Sequence, residues 1–93
     1  MQSLDTIKEA VKSLHDIDVL ERCRKRVCVF PRQLFCYVAV RSYGYSMRKV
    51  GDYLGFNPTT VGHHVKLIGW AAKHDEIVRA KIERILTEIE NKK

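Results

Sequence analysis

The amino-acid sequence predicts an all-α fold, a compact domain of about five helices built around a helix-turn-helix. Two observations lead to this prediction. Apolar residues recur every three or four positions in successive stretches of the chain, as they do along one face of a helix. Helix-capping residues, glycines and prolines separate these stretches. The chain has 93 residues, of which 45% are hydrophobic, so residues 1–93 can form one domain with one core.

The N-terminal segment, residues 1–20, contains the first predicted helix, from Leu4 to about His15. Its apolar residues form one narrow stripe, and Ser3 is placed to cap the helix start. The stripe predicts a helix that packs on the rest of the domain with one face.

The central segment, residues 22–69, begins with a basic loop and continues with a mostly apolar helix, which we expect from Pro31 to about Ser42. Proline suits the first turn of a helix because its N–H group would have no partner there. The helix carries apolar residues around much of its circumference, so it should be the most buried helix of the domain. Gly44 ends it, and Ser46 can cap the next helix.

Residues 46–69 have the pattern of a helix-turn-helix. The two helices approach each other closely and need a small residue, which Gly51 supplies. The turn needs a residue that tolerates a positive φ angle, which Gly55 supplies. Asn57 and Pro58 form a strong helix-start signal, with asparagine as the N-cap and proline in the first turn. Many helical hairpins share a glycine turn without binding DNA, so the outer face of the second helix carries the functional argument.

The second helix of this pair, predicted to end at Gly69, is the candidate recognition helix. Val61, Val65 and Ile68 face the core by their spacing, and His64 lies on their flank as a packing residue. The opposite face carries short or polar residues, namely Thr59, Thr60, Gly62, His63 and Lys66. Hydroxyl groups can contact bases or phosphates, the glycine permits close approach, and free N–H groups of the first turn favour a phosphate oxygen. His63 could contact a base, or its imidazole could be exposed to solvent without a contact. The sequence favours the two alternatives equally.

The C-terminal segment, residues 75–93, is predicted to form the last helix, beginning near Asp75. Its apolar residues make a seam, as do those of the first helix. The two stripes either pack on each other and on the core, which we favour, or form the surface of a homodimer or of another protein complex. Two heptads make only a marginal coiled coil.

Positive charge is concentrated in the middle of the chain. Residues 22–74 hold ten basic residues and one acidic residue, a balance of +9, whereas residues 1–21 have a balance of −3 and residues 75–93 are neutral. A block this one-sided indicates a surface for a polyanion. Nucleic acid is the first candidate partner, and an anionic membrane surface is the second.

Composition argues against other classes of protein. The sequence has no apolar run of the roughly 20 residues that cross a bilayer and no N-terminal secretory signal, so we expect a cytoplasmic protein with no membrane partner. Three cysteines without a CxxC pair predict neither a disulfide framework nor a metal site. No nucleotide-binding glycine loop and no paired carboxylates occur in the basic block, so we expect neither a cofactor nor an enzyme.

Three stretches of the sequence resemble a known family. They are FPRQ at residues 30–33, YSMRKVGDYLG at residues 45–55 and TTVGH at residues 59–63. Together they resemble the C-terminal DNA-binding domain of the bacterial replication initiator DnaA, and the resemblance covers residues 22–68. Similar helix-turn-helix segments occur in transposase-related proteins of mobile elements.

The resemblance implies a division of labour on DNA. An arginine of the basic loop, best matched by Arg24, would enter the minor groove, while Arg32 and Gln33 would contact phosphates. The outer face of the recognition helix would lie in the major groove. The candidate DNA contacts are Arg22, Arg24, Lys25, Arg26, Arg32, Gln33, Arg48, Asn57, Thr59, Thr60, Gly62, His63 and Lys66.

The chain departs from the family at the turn. The family usually carries an Asp-His pair before Thr-Thr, and this chain has Asn57 and Pro58 there, which leaves the target sequence open. The leading hypothesis is a protein that binds double-stranded DNA with sequence preference, as a regulator of transcription or as an accessory protein of replication or of a mobile element. The alternative is a protein-interaction or dimerisation module that uses the terminal helices.

Overall fold

The helices predicted from the sequence are present in a computed structural model, which describes residues 3–15 and 26–91 and confirms the all-α fold. Within these residues the α-helices are α1 (Leu4–His15), α2 (Arg26–Tyr37), α3 (Met47–Leu54), α4 (Pro58–His74) and α5 (Glu76–Asn91). A π-helical segment, Val38–Ser42, continues α2. Helices α2 and α3 pack on α4, and α1 and α4 pack on α5. In the described part of the chain, no helix has the length and apolar character needed to span a bilayer.

Capping residues set several helix starts, and the caps at Ser3 and Ser46 were predicted from the sequence. Ser3 Oγ accepts a hydrogen bond from the backbone N–H three residues later, at 3.2 Å. Ser46 Oγ does the same at the start of α3, at 3.0 Å. Asp75 Oδ1 accepts from the N–H two residues later, at 2.9 Å, where α5 begins. Each bond gives a partner to an N–H group that has none within its own helix.

Two predicted boundaries are wrong. Pro31 does not start a helix but lies inside α2, which begins at Arg26. A proline inside a helix removes one hydrogen bond, and α2 tolerates this loss because Pro31 and the following Leu34, Phe35 and Cys36 are buried. Gly69 does not end α4, which continues to His74. A glycine inside a helix costs only about 1 kcal/mol, which packing of the flanking turns offsets.

One hydrophobic core includes residues of all these helices. Its fully buried side chains include Ile7, Val11, Leu34, Phe35, Val50, Val61, Ile85 and Ile89. The apolar stripes of α1 and α5 therefore pack into the core, as favoured from the sequence. A homodimer or a protein partner on these stripes has no support, because their apolar side chains are already covered.

Contacts between side chains hold α1, α2, α3 and α5 together. The Tyr53 ring of α3 stacks on the Phe35 ring of α2, with ring centres 5.7 Å apart. The Tyr53 hydroxyl donates a hydrogen bond to the Asp5 carboxylate of α1. The Ser13 hydroxyl of α1 donates to the Glu88 carboxylate of α5, at 3.4 Å. The helix-turn-helix is thus fixed to a closed helical domain rather than standing alone.

Candidate nucleic-acid interface

The turn between α3 and α4 is closed around Gly51 and Gly55. Gly55 has a φ angle of 80°, a conformation that favours glycine. The N–H groups of Gly55 and Phe56 both donate to the carbonyl oxygen of Gly51, at 2.7 and 2.8 Å. A Cβ atom on Gly51 would lie 2.6 Å from the carbonyl oxygen of Phe56. Gly55 therefore has the predicted role. Gly51 is needed for a close approach, as predicted, but what approaches it is the backbone of residues 56–58 in the turn rather than the body of the second helix.

The start of α4 offers no free N–H group to a phosphate. Asn57 Oδ1 accepts a hydrogen bond from Thr59 N at 2.8 Å, which confirms Asn57 as the N-cap. The N–H groups of Thr60 and Val61 donate to the Asn57 carbonyl oxygen, at 3.0 and 3.3 Å, and Pro58 has no N–H group. The prediction of free N–H groups in this turn is therefore wrong, because the cap, the proline and the turn account for all of them. A phosphate at this end of α4 would therefore have to be bound by side chains.

Thr59, His63 and Lys66 form an exposed row along α4. Their spacings of four and three residues place them on one face of the helix, and Thr60 lies half-buried at the edge of that face. The opposite face is buried and consists of Val61, Val65 and Ile68. The structure thus brings together the polar residues predicted to read DNA, and their contact with DNA stays a prediction.

Gly62 does not belong to this exposed row, contrary to the sequence prediction. It is buried, and a Cβ atom at this position would lie 3.2 Å from the Sδ atom of Met47. Met47, the first residue of α3, is 40% exposed and covers α4 at this point. Gly62 therefore allows α3 to approach α4, and it offers no open surface to a ligand.

Arg32 lies against the turn of the helix-turn-helix. Its guanidinium carbon is 5.0 Å from the centre of the Phe56 ring, a cation–π distance. The Phe56 ring meets the His64 ring edge-on, with 6.5 Å between their centres. Arg32 therefore connects α2 to α4 through Phe56. Gln33 beside it is half-buried, and Arg48 on α3 is exposed.

Two half-buried histidines have lowered pKa values. Burial lowers the pKa of His64 below its ordinary value of 6.5, and electrostatic interactions with Arg32 and His63 lower it further. Burial also lowers the pKa of His15 at the end of α1, together with two basic residues of α5. Burial and positive charge both favour the neutral imidazole, so at any pH near 6.5 a smaller fraction of these histidines is protonated in the folded protein than in the unfolded chain.

We expect the protein to lose stability as the pH falls below about 6.5. The unfolded chain protonates His15 and His64 near this pH, whereas the folded protein does so only at lower pH, so the free energy of unfolding decreases until the pH passes the folded-state pKa values. Urea unfolding at pH 7.5 and at pH 5.5 measures the loss. Glutamine at both positions should reduce it, and an equal loss in the parent and the double variant would refute the assignment.

Cys36 is buried in α2, and burial raises the pKa of its thiol to about 12. A thiol with such a pKa forms almost no thiolate at neutral pH, and the thiolate is the reactive form. Cys36 therefore offers no nucleophile for catalysis.

Part of the predicted basic surface lies outside the described residues. This applies to Arg22, Arg24 and Lys25. Arg26 is the first residue of α2, but its side chain is not among those described. The minor-groove contact that the resemblance assigns to Arg24 stays a prediction.

The exposed row of α4 is longer than the sequence analysis predicted. Trp70 follows Lys66 by four residues and Lys73 follows Trp70 by three, and all three side chains are exposed. The row therefore extends over about four turns of one helix face. Trp70 was missed because α4 was expected to end at Gly69. The regular spacing beyond that glycine was the signal that could have shown it.

The extended row is rich in aromatic and basic groups. Trp70 is 65% exposed, and its ring packs against the His74 ring with centres 4.6 Å apart. No aspartate or glutamate occurs in residues 58–74. An anion approaching this helix therefore meets no negatively charged side chain on the helix itself.

Comparison with known proteins shows similarity to replication initiators. The chain is 32% identical over 82 residues to the chromosomal replication initiator protein DnaA of Thermoanaerobacter sp. (strain X514) and to that of Thermoanaerobacter pseudethanolicus (strain ATCC 33223 / 39E). It is 30% identical over 79 residues to that of Kosmotoga olearia (strain ATCC BAA-1733 / DSM 21960 / TBF 19.5.1). The matches cover 84–85% of this chain and 18% of each relative, so the chain spans less than a fifth of their length. No protein-family model matches the chain.

The similarity to these relatives extends beyond the three stretches of sequence that carry the resemblance. It covers 85% of the chain in the first two relatives, whereas the motifs lie within residues 22–68. The similarity is consistent with a domain related to part of DnaA.

Proposed function

We propose that this protein binds double-stranded DNA with sequence preference, as a DnaA-related DNA-binding domain in the cytoplasm. The observation that carries the proposal is the exposed face of α4, which a closed glycine turn holds in place and which has no acidic residue. The major groove is wide enough for an α-helix, and a helix of 17 residues such as α4 is about 25 Å long.

Base reading is assigned to the N-terminal half of α4. The hydroxyl groups of Thr59 and Thr60 can bond base edges, and the threonine methyl groups can contact the methyl group of thymine. The His63 imidazole stands one turn further along the same face and can donate to, or accept from, a base edge. Gly62 has no part in this assignment, because it is buried beneath α3.

Phosphate binding is assigned to basic side chains. Lys66 on α4 and Arg48 on α3 are both exposed, and the basic loop with Arg24 would add the minor-groove contact that the resemblance implies. Arg32 contributes indirectly, because its contact with Phe56 connects α2 to the turn before α4. Phosphate contacts supply most of the affinity, and base contacts supply the preference.

The relatives favour a role in replication over the other hypotheses. Those proteins are described as chromosomal replication initiators. We therefore propose that this protein acts on DNA in replication initiation, and that Asn57-Pro58 at the turn gives it its own target sequence.

Selection of bound duplexes from a random pool, followed by affinity measurements on the enriched duplex, tests this function. We expect a Kd that rises about 100-fold between 50 and 200 mM salt, as for about four phosphate contacts. Thr60→Ala should change the selected core sequence or the affinity for it, and Arg24→Ala should weaken binding and reduce the preference for A·T pairs beside the core. No binding at low salt, or selection that enriches no sequence, would refute the proposal.

A further inference from the structure

The chain has one tryptophan, and it lies exposed on the recognition helix. Trp70 is 65% exposed, although a ring of this size is usually well buried. It lies about one turn from Lys66 and about one turn from Lys73 on the same helix face. The His74 ring packs beside it. A large aromatic ring therefore stands open to solvent between two lysines.

The charge around Trp70 favours a nucleic acid over a protein. Residues 58–74 contain lysines and histidines but no acidic residue, so the surroundings of Trp70 complement a polyanion. Ile77, another exposed apolar residue, is 67% exposed and follows Asp75 and Glu76 in the chain. Trp70 and Ile77 thus differ in their electrostatic setting.

Stacking on an aromatic ring requires the face of a base. In a closed duplex the bases present their edges in the grooves and their faces are stacked on neighbouring pairs, so Trp70 cannot stack there. Unpaired bases present their faces, and proteins bind single strands by combining aromatic stacking with a basic groove along the backbone. Trp70 with its two lysines has both parts.

We propose that Trp70, with Lys66 and Lys73, is a stacking site for an unpaired base of single-stranded DNA. The stacking site lies on the same face of α4 as the residues proposed to bind duplex DNA. It rests on the proposed function only because Lys66 belongs to both sites. The base stacks on the indole, and the lysines bind the phosphates on either side of it. The helix then contacts duplex DNA with its N-terminal half and an unpaired strand with its C-terminal half.

The fluorescence of the single tryptophan reports on this site alone. The full chain is titrated with an oligothymidylate of about twelve nucleotides, within the range of known single-strand sites. We expect quenching of the Trp70 emission that saturates with binding. Trp70→Leu should weaken binding of a labelled oligothymidylate about tenfold, and Trp70→Phe, which keeps an aromatic ring, by less than about threefold.

Two controls separate the stacking site from other effects. Ile77→Ala removes an equally exposed apolar side chain and should leave oligothymidylate affinity unchanged. Trp70→Leu should keep the helical circular-dichroism spectrum and its affinity for the selected duplex. If oligothymidylate does not quench Trp70, or binds Trp70→Leu as well as the parent, the stacking site is refuted and the exposed ring would serve a protein partner. If the duplex still binds in that case, the proposed function stands, and if neither DNA binds, both proposals fail.

Discussion

Replacing Gly51 with alanine should lower the free energy of unfolding by about 2–3 kcal/mol. The added Cβ atom would lie 2.6 Å from the carbonyl oxygen of Phe56 and 3.4 Å from the backbone nitrogen of Pro58. Both atoms belong to the backbone, so no side-chain rotation can relieve the contact. The turn must move, and with it the hydrogen bonds that Gly55 and Phe56 donate to the Gly51 carbonyl oxygen. Urea unfolding followed by circular dichroism measures the loss.

Gly69→Ala is the matched control, because it makes the same chemical change inside α4. A Cβ atom there would lie 3.5 Å from Cε2 of Tyr37, an ordinary contact. Alanine favours a helix over glycine by about 0.5–1 kcal/mol, so this variant should be more stable than the parent. If both alanines have the same effect on stability, the close approach at Gly51 does not determine the fold of the turn.

Replacing Lys66 with glutamate should weaken duplex binding by about thirtyfold, or about 2 kcal/mol. The change removes a positive charge from the centre of the exposed row and places a negative charge next to the DNA phosphates. Lys66 is exposed, so the free energy of unfolding should change little. Fluorescence anisotropy with the selected duplex at fixed salt measures the effect.

Arg84→Glu separates a local contact from the effect of net charge. It makes the same change in net charge, from +6 to +4, but Arg84 lies on α5 beside Leu14 and His15 of α1. Its effect on Kd should be less than about threefold, since a distant charge is screened by salt. Equal weakening by both variants would show that overall charge, rather than the α4 face, governs binding.

The helix-turn-helix could be predicted from sequence because its signals are local. Ser46 and Asn57 cap the helices that follow them, and Gly55 adopts the positive φ angle that the turn requires. Each of these effects depends on a few neighbouring residues. The start of α2 was mispredicted because the usual preference of Pro31 for a first turn was outweighed by packing between helices far apart in sequence.

The candidate site was predictable in part for the same reason. Helical spacing alone placed Thr59, His63 and Lys66 on one face. It could not show that Met47 covers Gly62, because that contact depends on how α3 crosses α4. Nor could it show that α4 continues past Gly69, which left Trp70 outside the predicted site.

The closed first turn of α4 has a consequence for how binding specificity could change in evolution. Every N–H group there is bonded within the chain or absent, so the helix start is stable without DNA. The hydrogen bonds of this turn involve the backbone and the Asn57 side chain, and the side chains of Thr59 and His63 are exposed. Substitutions at exposed positions usually change the free energy of unfolding by less than about 0.5 kcal/mol. Under the proposed function, this helix face is therefore a surface on which DNA specificity can be reprogrammed with little effect on folding.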